Sequence, residues 1–262
     1  MCVIAVKTKG VDFAPASAIR RCIATNPDGF AMAWNQDGEI RVYKTMDPEK
    51  ALAKYEELAS GLDPKTTAMV FHARIATHGS KGIANCHCWD HDGRIAFAHN
   101  GILRNIGNHD DQTDSETFFR DYFVPALDGV GMEYAMRIAR LVAEPSGSKF
   151  AFLSPDGEIW MVGYWQKAEF KDRKGKVYFS NSSYIEYNTY GCASQAADGY
   201  SSKLYESEKK AYGEIFKKAF APAPKPSKKK AMSKNDALYV RRASDGRAIV
   251  AEPFTIASLF GK

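Results

Sequence analysis

Asp-Gly dipeptides recur along the N-terminal part of the chain, between short runs of apolar or alternating residues. Asp37-Gly38 separates Phe30 to Trp34 from Glu39 to Tyr43, Asp92-Gly93 precedes Arg94 to His99, and Asp156-Gly157 separates Phe150 to Leu153 from Ile159 to Tyr164. Asp-Gly accepts the positive φ angles of tight hairpin turns, so each dipeptide is a hairpin signal. The pattern predicts antiparallel sheet.

Three segments between or after these hairpins have the pattern of helices. Asp47 is placed as an N-cap before Pro48 at the first helical position, and the segment Glu49 to Ser60 ends at Gly61. Further helices are expected from about residue 114 to 127 and from about 132 to 143. Hairpins and helices without regular strand–helix alternation predict an α+β fold in which helices cover antiparallel sheets.

The composition is that of a globular protein, with 45% hydrophobic and 26% charged residues among 262. No apolar run approaches the roughly 18 residues that cross a bilayer, and the first one, Cys2 to Val6, is too short for a signal-peptide core. The five cysteines are irregularly spaced, which argues against a disulfide framework. We therefore expect a cytoplasmic protein with no membrane partner.

The positive charge is concentrated in one segment. The formal net charge is +5, and residues 203–234 contain ten lysines against three glutamates. We expect a main domain over residues 2–192, a helical extension over 193–220, a Pro/Lys-rich linker over 221–235 and a small C-terminal hairpin segment over 236–262. The basic segment is interpreted as a solvated tail or a docking element, and its lysines also allow nonspecific contact with nucleic acid.

Cys2 directly follows Met1, and a side chain this small normally permits removal of the initiator methionine. An N-terminal cysteine carries a thiol and a free α-amine, whose pKa is about 7.7 to 8.0 when unperturbed. The amine can therefore act as the base that activates its own nucleophile. The alternative is that Cys2 is simply the buried start of the first strand.

Two later segments supply groups that could bind a substrate. Arg74, Thr77 and His78 follow a strand-like run, and the arginine could grip a carboxylate bidentately; otherwise this is a basic loop. Asn100 and Gly101 follow another strand and could direct a side-chain amide and a backbone N–H toward one oxyanion. Their alternative is an ordinary Asn-Gly turn.

A helix opens with Thr113-Asp114-Ser115-Glu116. Either Thr113 or Asp114 could cap this helix by accepting orphan backbone N–H groups. The other interpretation is that the Asp114 carboxylate receives a substrate ammonium. These two interpretations stay open at the level of sequence.

The order and approximate spacing of Cys2, His-Ala-Arg-Ile-Ala-Thr-His-Gly, His-Asn-Gly and Thr-Asp-Ser-Glu resemble the class II glutamine amidotransferases, which are N-terminal-nucleophile (Ntn) hydrolases. The segment Asn26-Pro-Asp-Gly-Phe30 also looks like part of such a domain. The resemblance covers roughly residues 2 to 190. It implies a four-layer αββα sandwich of antiparallel sheets, here followed by a C-terminal basic extension.

The resemblance also implies a role for each residue. Cys2 would be the nucleophile, and Asn100 and Gly101 would form the oxyanion hole. The α-carboxylate of L-glutamine or of a γ-glutamyl compound would be held by Arg74 with Thr77 and His78. Its α-ammonium would be received by Asp114. No cofactor and no metal are needed for this half-reaction.

The segment Asn85-Cys-His-Cys-Trp89 departs from the family, because many members have Asn-x-His-Pro there. Cys86, His87, Cys88 and His91 could be interpreted as a zinc site, but Cys-x-Cys is tighter than the usual ligand spacing. We interpret these cysteines as loop residues.

The resemblance leaves the fate of the nitrogen open, because we expect no acceptor domain after the glutaminase domain. The leading hypothesis is an amidotransferase that releases ammonia to a separate acceptor enzyme. One alternative is a γ-glutamyl amide or peptide hydrolase with the same nucleophile. Another is a non-catalytic scaffold or nucleic-acid-binding module that retains the fold.

Overall fold

A computed structural model describes residues 2–76, 82–104, 106 and 112–186, together with the backbone of two short strands near the C-terminus. The chain divides into two units, residues 1–198 and 199–262. In the second unit, β11 (Val240–Arg242) and β12 (Ala248–Val250) pair antiparallel. The helix predicted within 193–220 and the linker over 221–235 lie outside the described residues, and the domain boundaries stay predictions.

The first unit contains two antiparallel sheets. The larger has the strand order β3-β2-β4-β1-β10-β9 and the smaller has the order β5-β6-β7-β8. The larger sheet consists of β1 (Val3–Lys7), β2 (Phe30–Gln36), β3 (Glu39–Thr45), β4 (Met69–Ala73), β9 (Gln166–Ala168) and β10 (Val177–Phe179). The smaller sheet consists of β5 (Trp89–His91), β6 (Ile95–Asn100), β7 (Lys149–Leu153) and β8 (Ile159–Val162).

The three predicted Asp-Gly hairpins are confirmed. Asp37, with a φ of 53°, and Gly38, at 76°, join β2 to β3, and Asp92-Gly93 joins β5 to β6 with φ angles of 50° and 66°. Gly157 provides the positive φ between β7 and β8. Tight turns therefore determine which neighbouring strands pair.

The helices include the three predicted segments, and the first helix of the chain is one that the sequence does not predict. They are α1 (Ala16–Thr25), α2 (Pro48–Gly61), α3 (Asp114–Thr117), α4 (Val124–Gly129) and α5 (Met132–Ser146), with a π-helical stretch (Phe118–Phe123) between α3 and α4 and 3-10 helices at Ile83–Asn85 and Ser182–Tyr184. The Asp47 carboxylate caps α2 by accepting the N–H groups of Glu49 and Lys50. Gly147, in the left-handed region, ends α5.

Three apolar clusters define four layers. One lies between the larger sheet and α1 and α2, and a second, rich in phenylalanine, lies between the smaller sheet and the helices from α3 to α5. The third lies between the sheets and is dominated by small side chains, namely Ala31, Ala33, Ala68, Ala96, Ala98 and Ala151. Small residues let the two sheets approach closely. The expected αββα sandwich is confirmed.

Candidate active site

The predicted site residues converge on one end of the sandwich because of strand register. Val3 pairs with Ala73, so Cys2 and Arg74 leave adjacent strands at the same end. Ser180 and Asn181 follow β10, whose residue Phe179 pairs with Ala5 on the other side of β1. Asn100 ends β6 in the facing sheet, and its side chain reaches Ser180.

Cys2 is half-buried and its main chain is anchored. The thiol donates a hydrogen bond to the Ile75 carbonyl, at 3.6 Å, and the Asn181 Nδ2 donates to the Cys2 carbonyl at 2.7 Å. Burial raises the pKa of the thiol, and the Ile75 contact and the charge of Arg74 oppose that shift. A thiol in this state needs a base to become a nucleophile.

Arg74 is 3% exposed, and the segment before β2 fixes its backbone. The Arg74 N–H donates to the Gly29 carbonyl at 2.8 Å, and the Asp28 N–H donates to the Arg74 carbonyl at 2.9 Å. The Asp28 carboxylate also accepts the N–H of Ala76, at 3.0 Å. Asp28 and Gly29 therefore hold the chain on both sides of Arg74. Thr77 and His78 lie outside the described residues.

Asn100 is 1% exposed and is held by Ser180. Its Nδ2 lies 2.8 Å from Ser180 Oγ, which also accepts the Ile4 N–H at 2.8 Å. Among the residues that the structure describes, Asn100 Oδ1 has no hydrogen-bond partner. Turning the amide by half a rotation would let Ser180 donate to Oδ1 and leave both Nδ2 hydrogens for a ligand. Among the described residues, the end without a partner is Oδ1 in the first orientation and Nδ2 in the second, and only Nδ2 can donate to an oxyanion.

Gly101 has a φ of 154°, which disfavours any side chain. A Cβ atom there would lie 2.2 Å from Ser148 Oγ and 2.8 Å from His99 Nε2. Both the backbone angle and the close neighbours therefore require glycine at this position.

The question of the helix cap at α3 is answered by its hydrogen bonds. Thr113 is the N-cap, because its hydroxyl accepts the Glu116 N–H at 3.3 Å. Asp114 instead accepts the Leu103 N–H on Oδ2, at 2.7 Å, and the Ser115 N–H and hydroxyl on Oδ1, at 2.8 and 3.1 Å. A carboxylate has about four acceptor sites, so three bonds leave capacity for one more donor.

Three buried histidines lie together near this end, although no sequence pattern groups them. The rings of His72 and His87 stack at 3.9 Å, and the ring of His99 lies 6.2 Å beyond that of His87. His87 Nδ1 accepts the His99 backbone N–H at 3.1 Å. Burial lowers the pKa of all three imidazoles, that of His99 to about 4. His87 and His99 act as neutral hydrogen-bonding groups, and His72 packs against His87 with no hydrogen-bond partner for its ring among the described residues.

Cys86 and Cys88 are buried in the layer between the sheets rather than gathered around one point. Cys86 Sγ lies 3.7 Å from Met46 Sδ, and Cys88 Sγ donates to the Val70 carbonyl at 3.8 Å. Burial raises the pKa of both thiols, that of Cys88 to about 12. Within the described residues no three His, Cys, Asp or Glu side chains have the geometry of a metal site.

Six further residues support the predicted site residues, and the sequence assigns a role to none of them: Asp28, His99, Ser115, Ser148, Ser180 and Asn181. Asp28 does lie in the Asn-Pro-Asp-Gly segment of the resemblance, but its carboxylate carries no predicted role. His99 and Ser115 stand within recognised motifs but carry no predicted role. Ser180 has no local signal, since its side-chain partners lie on distant strands. Among the helices that the structure describes, none has the length and apolar character to cross a membrane.

A family model for class II glutamine amidotransferases matches residues 1–143. A comparison with curated proteins finds no significant match.

Three solved structures are similar at low identity. Glutamine phosphoribosylpyrophosphate amidotransferase from B. subtilis, complexed with ADP and GMP, is 15% identical with a TM-score of 0.46, over 69% of this chain and 42% of that one. A class II glutamine aminotransferase domain protein from Silicibacter pomeroyi is 18% identical with a TM-score of 0.41, and the match covers 68% of this chain and 88% of that one. An allosteric regulatory enzyme of purine biosynthesis is 16% identical with a TM-score of 0.45, and the match covers 69% of this chain and 42% of that one.

Two antiparallel sheets enclosed by two helical layers, with the family match, define an enzyme of the Ntn-hydrolase fold. More narrowly, the chain belongs to the class II glutamine amidotransferases. It spans 42% of the length of the B. subtilis amidotransferase.

Proposed function

We propose that this enzyme hydrolyses the side-chain amide of L-glutamine through a thioester on Cys2 and releases ammonia for a separate acceptor enzyme. The observation that carries the proposal is the convergence of Cys2, Arg74 and Asn100 on one end of the sandwich, in a chain of this family. The cytoplasmic location stays a prediction.

The first half-reaction forms the thioester. After removal of Met1, the α-amine of Cys2 takes the thiol proton, and the thiolate attacks the amide carbon of glutamine. Asn100 Nδ2 and the Gly101 N–H stabilise the resulting oxyanion. The carbon–nitrogen bond then breaks, the nitrogen takes the proton from the α-ammonium of Cys2, and ammonia leaves.

The second half-reaction restores the enzyme. Water gives a proton to the Cys2 amine and attacks the thioester, and the sulfur leaves as the carbon–sulfur bond breaks. The products are glutamate and the free thiol. Overall, glutamine and water give glutamate and ammonia, so the balance needs no other reactant.

The two α-groups of the substrate provide specificity. Arg74 pairs with the α-carboxylate, together with Thr77 and His78, and Asp114 takes the α-ammonium with its remaining acceptor capacity. These two ionic contacts together distinguish free glutamine from a glutamine residue within a polypeptide, which lacks both charges.

The test combines turnover with covalent labelling. The purified protein, its Cys2→Ala variant and a Cys22→Ala control are assayed for ammonia from L-glutamine, and each is exposed to a diazoketone analogue of glutamine before intact-mass analysis. Cys22 is a buried thiol in α1. We expect loss of Met1, one adduct on Cys2 and activity in the control, with neither adduct nor activity in Cys2→Ala.

Other outcomes point to the alternatives. Turnover of small γ-glutamyl amines without ammonia from glutamine would identify a γ-glutamyl hydrolase. Retained Met1 with no adduct would overturn the mechanism, because the base would then be an amide nitrogen. Unchanged biological activity in Cys2→Ala would favour a non-catalytic role.

A further inference from the structure

We propose that His99 is a positioning residue that joins the Asp114 end of the site to the Gly101 end through two buried serines, Ser115 and Ser148. This inference rests on the proposed function, because it assigns the two ends to the ammonium and the oxyanion of one substrate.

The imidazole of His99 uses both ring nitrogens. Nδ1 lies 2.7 Å from Ser115 Oγ, and Nε2 lies 3.0 Å from Ser148 Oγ. His99 is 1% exposed, and the two serines are 3% and 0% exposed. The ring also meets the ring of Phe150 edge-on, with centroids 5.0 Å apart. The side chain is therefore fixed by packing as well as by hydrogen bonds.

The Asp114 carboxylate determines the direction of these hydrogen bonds. The Ser115 hydroxyl donates to Asp114 Oδ1 at 3.1 Å, and a carboxylate can only accept. Since Ser115 has one hydroxyl hydrogen, its oxygen must accept from His99 Nδ1–H. A neutral imidazole carries one N–H, so Nε2 accepts from the Ser148 hydroxyl. Every donor in the series thus points toward Asp114.

The environment keeps the imidazole neutral, as this arrangement requires. Burial lowers the pKa of His99 to about 4, the negative charge of Asp114 raises it in part, and the positive charge of Lys149 lowers it. His87 also faces the ring. The series of hydrogen bonds is consequently formed at neutral pH.

At its other end, the series supports the backbone of Gly101. A Cβ on Gly101 would lie 2.2 Å from Ser148 Oγ and 2.8 Å from His99 Nε2. The glycine therefore packs directly against the two atoms of the His99–Ser148 hydrogen bond. The loop that follows is held by Asp114, which accepts the Leu103 N–H at 2.7 Å. Asp114 and Gly101 are thereby fixed relative to each other in two ways: by the hydrogen bonds that pass through His99, and by the loop that ends at the Leu103 N–H.

The consequence concerns substrate length. The ammonium and the amide oxyanion are at opposite ends of glutamine, so a fixed separation between Asp114 and Gly101 matches one chain length and one orientation. Loosening the link from the Ser115 side weakens binding of the ammonium. Loss of the Ser148 hydrogen bond misplaces the oxyanion donor, the Gly101 N–H. Because the oxyanion exists only in the transition state, this loss raises the activation barrier and not the KM.

The kinetic test uses Ser115→Ala, Ser148→Ala and the double variant, with the exposed Ser60→Ala as a matched control. The substrates are L-glutamine and glutaramate, which keeps the amide and the carboxylate but lacks the α-amino group. We expect Ser115→Ala to raise KM for glutamine about tenfold and to leave kcat/KM for glutaramate nearly unchanged. We expect Ser148→Ala to lower kcat about tenfold on both substrates, and the double variant to lose less than the product of the two single losses.

A second measurement needs neither a variant nor turnover. Nitrogen-15 NMR of protein labelled at histidine reports which ring nitrogen of His99 carries the proton, and we expect Nδ1. Protonated Nε2, losses that multiply in the double variant, or serine variants that match Ser60→Ala would each overturn the link. Absence of ammonia from glutamine in the parent protein with Nδ1 protonated would count against the proposed function alone.

Discussion

Ser180 Oγ lies 2.8 Å from the side-chain amide of Asn100 in one sheet and accepts the Ile4 N–H in the other, also at 2.8 Å. This hydroxyl therefore joins the two sheets close to the proposed nucleophile, Cys2, and the proposed oxyanion donor, Asn100. The residue after it, Asn181, binds the Cys2 carbonyl at 2.7 Å. The end of β10 thus contributes to both halves of the site.

Removal of the Ser180 hydroxyl should impair catalysis more than binding. In Ser180→Ala the Asn100 amide loses the partner that fixes its orientation, and we expect kcat to fall about 10-fold to 100-fold with KM within about twofold, since removal of an oxyanion donor itself costs about 10²–10³ in kcat. Steady-state ammonia release from glutamine measures both constants. An equal rise in KM would indicate that Ser180 acts on substrate binding instead.

Substitution of Gly101 should damage both stability and activity. In Gly101→Ala the new methyl group would lie 2.2 Å from Ser148 Oγ at a φ of 154°, so strain and a steric clash add together. We expect a loss of about 2–4 kcal/mol in the free energy of unfolding and at least a roughly 100-fold loss of kcat.

Gly10→Ala is the matched control for that prediction. Gly10 has a φ of 80°, and a methyl group added there would meet none of the described atoms within 4 Å, so only the backbone cost applies. Urea denaturation should show a loss of about 1 kcal/mol there and unchanged kcat. Equal losses of stability in the two variants would mean that Ser148 moves aside without cost.

Local signals explain how much of this molecule can be predicted from the sequence. The Asp37-Gly38 turn and the Asp47 cap are specified by adjacent residues, and the sequence predicts both. Helix α1 escapes prediction, because its N-cap position is Pro15, which makes no side-chain cap hydrogen bond, and its first turn has no acidic residue. The three-residue strand β10 escapes prediction because its identity depends on pairing with β1.

The same distinction applies to the site. Arg74 and Asn100 lie in short motifs at strand ends, so their type and order can be recognised without a structure. Ser180 contributes only because Phe179 pairs with Ala5, a register that no local pattern specifies. Supporting groups are therefore harder to predict than the groups that they support, since serine and histidine have many ordinary roles.

Asp28 should control the binding of glutamine through Arg74. Its carboxylate accepts the Ala76 N–H at 3.0 Å, and its own N–H binds the Arg74 carbonyl at 2.9 Å. We expect Asp28→Ala to raise KM for glutamine about tenfold, because the segment that carries Arg74 loses a charge-assisted hydrogen bond. The measurement is the KM for glutamine at a temperature well below the melting temperature of both proteins.

Asp47→Ala separates this effect from a general loss of stability. Asp47 caps α2 and lies in a different part of the fold, so its removal should cost about 1 kcal/mol of stability while KM stays unchanged. If Asp47→Ala raised KM as much as Asp28→Ala, the effect would be a consequence of destabilisation.

The stability of the protein should fall as the pH falls below about 6.5. His72, His87 and His99 are buried and neutral, and burial lowers the pKa of each imidazole below the ordinary value of 6.5. The unfolded chain then binds more protons than the folded one, so stability is fully present above about pH 6.5 and is lost as the pH falls toward the folded values, about 4 for His99. Each histidine contributes a slope of up to about 1.4 kcal/mol per pH unit. Urea denaturation between pH 7 and 5 should show this dependence of the free energy of unfolding on pH. His87→Gln should reduce the slope by the contribution of one proton, about 1.4 kcal/mol per pH unit. An unchanged slope in that variant would show that His87 does not titrate on unfolding.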